Sequence, residues 1–111
     1  KLISSSYKIN TSKRVTVSRK LDASNFKKKN LIINCTPLGS NLKKSYLNKC
    51  SIDKNVFNKI NKKSIIFDVV YSPKRTLMYK LAKKNKIKYL NGLKMNTVQA
   101  KQALKIIFKK N

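Results

Sequence analysis

The chain has 111 residues, 41% of them apolar, and sets 28 basic side chains against three acidic ones for a formal charge of +25. That length suits one small domain, and two Gly and two Pro exclude a collagen-like or low-complexity composition. No run approaches the ~20 apolar residues of a membrane span, no signal-peptide pattern opens the chain, and the absence of His removes imidazole chemistry. Cys35 and Cys50 make no disulfide framework; Cys35 falls in an apolar run, where a reduced Cys acts as a small apolar residue. A reducing, cytoplasmic compartment is expected.

The charge invites a nucleic-acid reading. Only three of the basic residues, Arg14, Arg19 and Arg75, are arginines, however. Base readers and bidentate phosphate clamps favour the planar fork of Arg. The lysines scatter over every predicted element instead of forming one stripe, and abundant Lys, Asn and Ile match the bias of an AT-rich coding sequence. The charge is therefore read as composition, not as a polyanion-binding surface.

Taken in chain order, residues 1–7 read as the tail of a helix. Residues 14–19 alternate β-branched and polar residues, a strand signal. A polar stretch follows, a short helix or loop. Residues 31–36 (LIINCT) form a continuous apolar run closed by Pro37, as in a central parallel strand. Asp53 is placed to cap a helix carrying Val56, Phe57 and Ile60. Residues 64–71 (SIIFDVVY) give the next strand. Thr76 caps a helix with Leu77, Met78, Leu81 and Ala82 on one side, and residues 87–90 supply a short last strand. The final helix, about 96–109, sets Ala100, Ala103, Leu104, Ile107 and Phe108 on one stripe. Strands alternating with helices imply an α/β fold with a mostly parallel sheet.

Asp22, Asp53 and Asp68 are too isolated for a paired-carboxylate site, and with two distant Cys they make no metal cage. Neither GxGxxG nor GxxxxGK[ST] occurs, so the usual phosphate cradle is missing. Two apolar runs end abruptly in small or polar residues followed by a Pro turn, the way a parallel strand delivers its carboxyl end into a ligand crevice. In dinucleotide-binding folds an acid after the second strand holds the ribose 2′-hydroxyl, whereas Arg accommodates a 2′-phosphate. Ser18-Arg19-Lys20 offers cations there. On the residues alone these are solvated charges at a strand end.

Four ordered blocks, Ser18-Arg19-Lys20, Asn34-Cys35-Thr36-Pro37-Leu38-Gly39, Asp68-Val69-Val70-Tyr71 and Asn91-Gly92-Leu93-Lys94-Met95 with Gln99, resemble the shikimate dehydrogenase family over about residues 14–108. The resemblance implies a partial Rossmann-like NADP-binding domain, a mostly parallel sheet flanked by helices, with the first strand and Gly-rich turn missing. It implies NADP-dependent reduction of 3-dehydroshikimate to shikimate in aromatic amino acid biosynthesis. Ser18 and Lys20 depart from the family's Asn and Thr.

The resemblance also implies roles. Ser18, Arg19 and Lys20 would meet the 2′-phosphate, with Arg19 against the adenine. Thr36, Pro37, Leu38 and Gly39 would form the turn under ribose and nicotinamide. Val70 would sit on the cofactor side where the strand meets the cleft, and Gly92 and Met95 would border the nicotinamide, with Gly92 allowing close backbone approach. Tyr71 would lie near the substrate carboxylate and Gln99 at a substrate hydroxyl. Read without the resemblance, residues 96–99 (NTVQ) make a helix capping box with Gln99 at its third position. The family's catalytic Lys and Asp belong to an N-terminal substrate domain absent here. Residues 1–111 then correspond to the C-terminal portion of the NADP-binding domain, inactive alone, with the last helix packing back toward the substrate domain. No metal is implied. A small Lys-rich nucleic-acid-binding protein, or a quinate- or NAD-using member of the family, is the alternative.

Overall fold

A computed structural model describes residues 21–109. The sequence-predicted strand at 14–19, the helix tail before it, and Ser18, Arg19 and Lys20 lie outside the described residues.

A 3₁₀ turn, Ala23–Asn25, follows Asp22, whose side chain accepts from the Ser24 amide at 2.8 Å. Then come β1 (Leu31–Asn34), α1 (Lys54–Phe57), β2 (Ile65–Asp68), α2 (Leu77–Lys84), β3 (Lys88–Asn91) and α3 (Leu93–Lys109). The three strands form one parallel sheet in the order β1-β2-β3, with Asn34, Asp68 and Asn91 in register. Parallel strands need crossovers, and the two seen here carry α1 and α2. The fold is α/β with a parallel sheet, as the alternation of apolar runs and helical patterns predicts, and it is Rossmann-like, as the family resemblance implies.

One face of the sheet carries the core. Ile32 and Ile66 pack with Phe26, Ile52, Phe57, Ile60, Met78, Ala82 and Ile87. Phe57, Ile66 and Ala82 are wholly buried, and each buried Ile or Phe contributes about 1.5–3 kcal/mol relative to leaving it in water. The opposite face is open: Leu31 and Ile33 are about half exposed. The continuous apolar run at 31–36 predicts a strand buried on both faces in the middle of the sheet. Among the described residues β1 has one neighbour, β2, and alternates exposed with buried.

The helix starts follow side-chain chemistry. Asp53 accepts from the Asn55 amide at 2.8 Å and opens α1, and Thr76 accepts from the Tyr79 amide at 3.1 Å and opens α2. Both caps lie where the sequence predicts them. The last helix does not: it begins at Leu93, three residues before the expected start. Asn91 accepts from the Leu93 amide at 3.1 Å, and the Asn96 amide already donates to the Gly92 carbonyl at 2.9 Å. Asn96 is therefore inside the helix, and the capping box at 96–99 does not form. The amphipathic stripe of α3 is present, but α3 buries no residue, and Leu104, Ile107 and Phe108 are exposed.

Candidate functional site

Each of the three strands ends in a side chain with an amide or carboxylate. Because Asn34, Asp68 and Asn91 are in register, those groups form a row along the carboxyl edge of the sheet. Asn34 and Asp68 point into the core side and are almost fully buried. A buried polar group is tolerated when it is hydrogen-bonded, and these two are. Asn34 Nδ2 donates to Asp68 Oδ1 at 2.9 Å. Asn34 Oδ1 accepts from the Thr36 amide (3.1 Å), Thr36 Oγ1 (2.7 Å) and Ser51 Oγ (3.0 Å). Asp68 Oδ1 also accepts from the Val70 amide at 3.1 Å, and Asp68 Oδ2 accepts from the Tyr89 hydroxyl at 2.8 Å and from Thr76 Oγ1 at 3.4 Å. Burial pushes the Tyr89 hydroxyl well above the usual phenol range; the Thr76 hydroxyl pulls it down, and the Asp68 carboxylate beside it adds to the rise.

The turns after β1 and β2 enclose a recess of about 320 Å³ lined by Thr36, Pro37, Val69, Val70, Tyr71 and Ser72 among others. Asn41 closes one side: its amide donates to the Ser72 carbonyl and its Nδ2 to Ser72 Oγ, both at 3.2 Å. Cys35 also lines this recess and is exposed. The sequence places it inside a buried strand; β1 instead ends at Asn34, whose side chain bends the next two residues into a turn, so Cys35 faces out. Gly39 does not line the recess. Its φ of +94° suits glycine, and its amide donates to the Tyr46 carbonyl at 2.9 Å, anchoring the turn from behind. Leu38 likewise lies off the lining.

A second, larger groove of about 680 Å³ runs along the β3 edge between α2 and α3, lined by Tyr79, Tyr89, Lys94, Met95, Val98 and Gln99 among others. Met95 and Gln99 are four residues apart and share one face of α3. The sequence-predicted residues are thus divided. Thr36, Pro37, Val70 and Tyr71 meet in the first recess; Met95 and Gln99 meet in the groove. Gly92 stands at the boundary with its backbone against Val69, where a Cβ would overlap the Val69 carbonyl and stand 2.8 Å from its carbon. Close approach is what the glycine is for.

Sequence reading missed Ser51, Asn41, Ser72 and Tyr89. No spacing rule brings Ser51 to Asn34 or Tyr89 to Asp68. A usable signal was present for the row itself, since the three apolar runs end in Asn, Asp and Asn. Among the described residues no group of three His, Cys, Asp or Glu side chains stands close enough to hold a metal ion.

No protein-family profile matches the chain. Curated relatives do. The shikimate dehydrogenase (NADP(+)) of Clostridium botulinum strain Hall is 34% identical over 93 residues, 83% of this chain and 33% of that protein. That of Prochlorococcus marinus strain MIT 9215 is 28% identical over 75 residues, 68% of this chain and 26% of that protein. Among solved structures, the chorismate mutase/shikimate 5-dehydrogenase fusion protein of Clostridium acetobutylicum superposes with a TM-score of 0.62 at 36% identity, over 76% of this chain and 29% of that one. The Listeria monocytogenes shikimate 5-dehydrogenase, solved with shikimate and NAD, gives 0.50 at 23% identity over 65% and 25%, a likeness of fold. The chain spans about a third or less of the length of the curated relatives it matches. What it resembles, in sequence and fold alike, is one portion of a shikimate dehydrogenase.

Proposed function

We propose that this chain is part of the cofactor-binding domain of an NADP-dependent shikimate dehydrogenase, which reduces 3-dehydroshikimate to shikimate. The observation that carries the reading is the recess between the carboxyl ends of β1 and β2, built by Thr36, Pro37, Val70 and Tyr71. Ligands of open parallel sheets bind at such strand ends, and these residues come from two of the four motifs that carry the family resemblance.

NADP fits what the chain offers there. The turn held by Asn34 presents Thr36 and Pro37 beneath one side of the recess, and the missing Cβ of Gly92 lets the start of α3 pack against Val69, a wall of the same recess. Thr36 to Gly39 would support the ribose and nicotinamide, Gly92 and Met95 would border the ring, and Arg19 would meet the 2′-phosphate. Tyr71 would face the substrate carboxylate and Gln99 a substrate hydroxyl. The cofactor supplies the hydride; the chain supplies orientation and exclusion of water. Catalytic Lys and Asp groups are expected from a substrate domain outside this chain, and the exposed stripe of α3 is read as the surface that packs toward it. Among the described residues no helix is long and apolar enough to cross a membrane, and a cytoplasmic location goes with the reading.

The reading is tested by supplying NADPH, and NADH in parallel, with 3-dehydroshikimate to the full-length product of the reading frame that encodes this chain. Turnover favouring NADPH is expected, and none from residues 1–111 alone. A folded full-length product inactive with both cofactors would refute it, and binding to duplex DNA that weakens steeply with salt would then favour the basic-binder alternative.

A further inference from the structure

Tyr89 has no part in the motifs and lines only the larger groove, yet its hydroxyl is tied by hydrogen bonds to the walls of the smaller recess. Its ring lines the groove along β3, edge-on to Tyr79 with centroids 5.4 Å apart. Its hydroxyl crosses to Asp68 Oδ2 at 2.8 Å. The other oxygen of that carboxylate takes the Asn34 carboxamide and the Val70 amide. Asn34 in turn holds Thr36 and Ser51. A single chain of hydrogen bonds thus runs from β3 through the end of β2 to the end of β1, and it finishes at Thr36 and Val70, two walls of the smaller recess.

We infer that Tyr89 is a positioning residue of the strand-end recess, acting through Asp68 and Asn34 to fix where the Thr36 and Val70 turns stand. A carboxylate with four donors has each oxygen committed, so its plane cannot rotate without breaking a bond. The Tyr89 hydroxyl is the donor that comes from outside β1 and β2 and their turns, apart from the longer contact from Thr76 at 3.4 Å. With the Tyr89 hydroxyl gone, Asp68 Oδ2 keeps only the 3.4 Å contact from Thr76, and the Val70 amide and Asn34 carboxamide lose a firmly fixed acceptor. What this positioning serves, a bound NADP, rests on the function proposed above; the positioning itself does not.

The decisive experiment is amide hydrogen exchange in the 111-residue chain, comparing wild type with Tyr89→Phe and, as a control, Tyr79→Phe. The Tyr79 hydroxyl takes no part in the network. The Thr36 and Val70 amides, both bonded to side-chain oxygens of the network, are expected to exchange roughly tenfold faster in Tyr89→Phe, the worth of about one hydrogen bond. The Ile65 amide, which donates to the Asn30 carbonyl at 2.9 Å at the far end of the strands, should change little. Tyr79→Phe should leave all three unchanged. Uniform acceleration at all three amides would make Tyr89 a stability residue only and overturn the inference, as would an unchanged pattern or a Tyr89→Phe chain that no longer folds. NADP+ titrated into the full-length product separates the two ideas. Absent binding there counts against the proposed function and leaves the exchange result standing.

Discussion

The Gly92 backbone lies against the Val69 carbonyl so closely that a methyl group has no place between them. This contact joins the start of α3 to the turn after β2, and the Gly92 amide points to the Val70 carbonyl at 3.5 Å. Gly92→Ala is therefore expected to push these segments apart. Its cost should resemble that of an overpacked core, about 1–3 kcal/mol, read as a lower urea midpoint with an unchanged slope. A neutral Gly92→Ala would show that the contact is not tight.

Thr76 combines two duties, capping α2 through the Tyr79 amide and contacting Asp68 and Tyr89. Thr76→Ala should lower stability by about 1–2 kcal/mol, whereas Thr76→Ser, which keeps the hydroxyl, should recover most of it. Thermal unfolding of the two variants side by side checks this; equal losses would assign the effect to the methyl group.

The elevated Tyr89 ionisation has a defined consequence at high pH. The folded protein holds this proton more tightly than the unfolded chain, whose phenol titrates near 10. The Tyr89 contribution to stability is then complete below pH 10 and declines as pH rises from there toward the folded value. Lysines titrate in the same range, so the informative quantity is the difference between wild type and Tyr89→Phe. That difference should be constant from pH 7 to about 9 and shrink above about 10. A gap in urea midpoint that widens with alkali would contradict the buried placement of the hydroxyl.

The two thiols should react very differently. Cys35 is exposed on the smaller recess, whereas Cys50 packs against the core and burial pushes its thiol above the ordinary value. A small aromatic disulfide reagent at pH 8 should modify Cys35 first, with Cys50 following at least about tenfold more slowly. Simultaneous labelling of both in the folded chain would be inconsistent with the packing around Cys50.

Much of the fold is legible in the sequence because its signals are local. The β-branched runs at 31–34 and 65–68, the caps Asp53 and Thr76, and the apolar spacing of α2 each depend on neighbours within a few residues. The start of α3 differs from the expected one because two capping signals compete. Asn96 has the right chemistry, but Asn91 ends β3 and its side chain accepts from the Leu93 amide, so the helix starts there. β1 is buried on one face rather than two for another reason: an apolar run shows that two faces are suited to burial, not that both are covered. Thr36, Pro37, Val70 and Tyr71 were identifiable as strand-end residues. That Met95 and Gln99 line a different recess follows from the direction in which α3 leaves the sheet, which no spacing encodes.

Only Gly92 separates the last residue of β3 from the first of α3. A 17-residue helix is about 25 Å long, and it leaves the sheet with almost no slack at its root. Under those conditions α3 behaves as a pointer pivoted at Gly92. A tilt of about 10° there moves the Phe108 end by roughly 4 Å over that length, while Met95, one turn from the pivot, moves less than one. A contact at the tip would accordingly have large mechanical advantage over the carboxyl edge of the sheet.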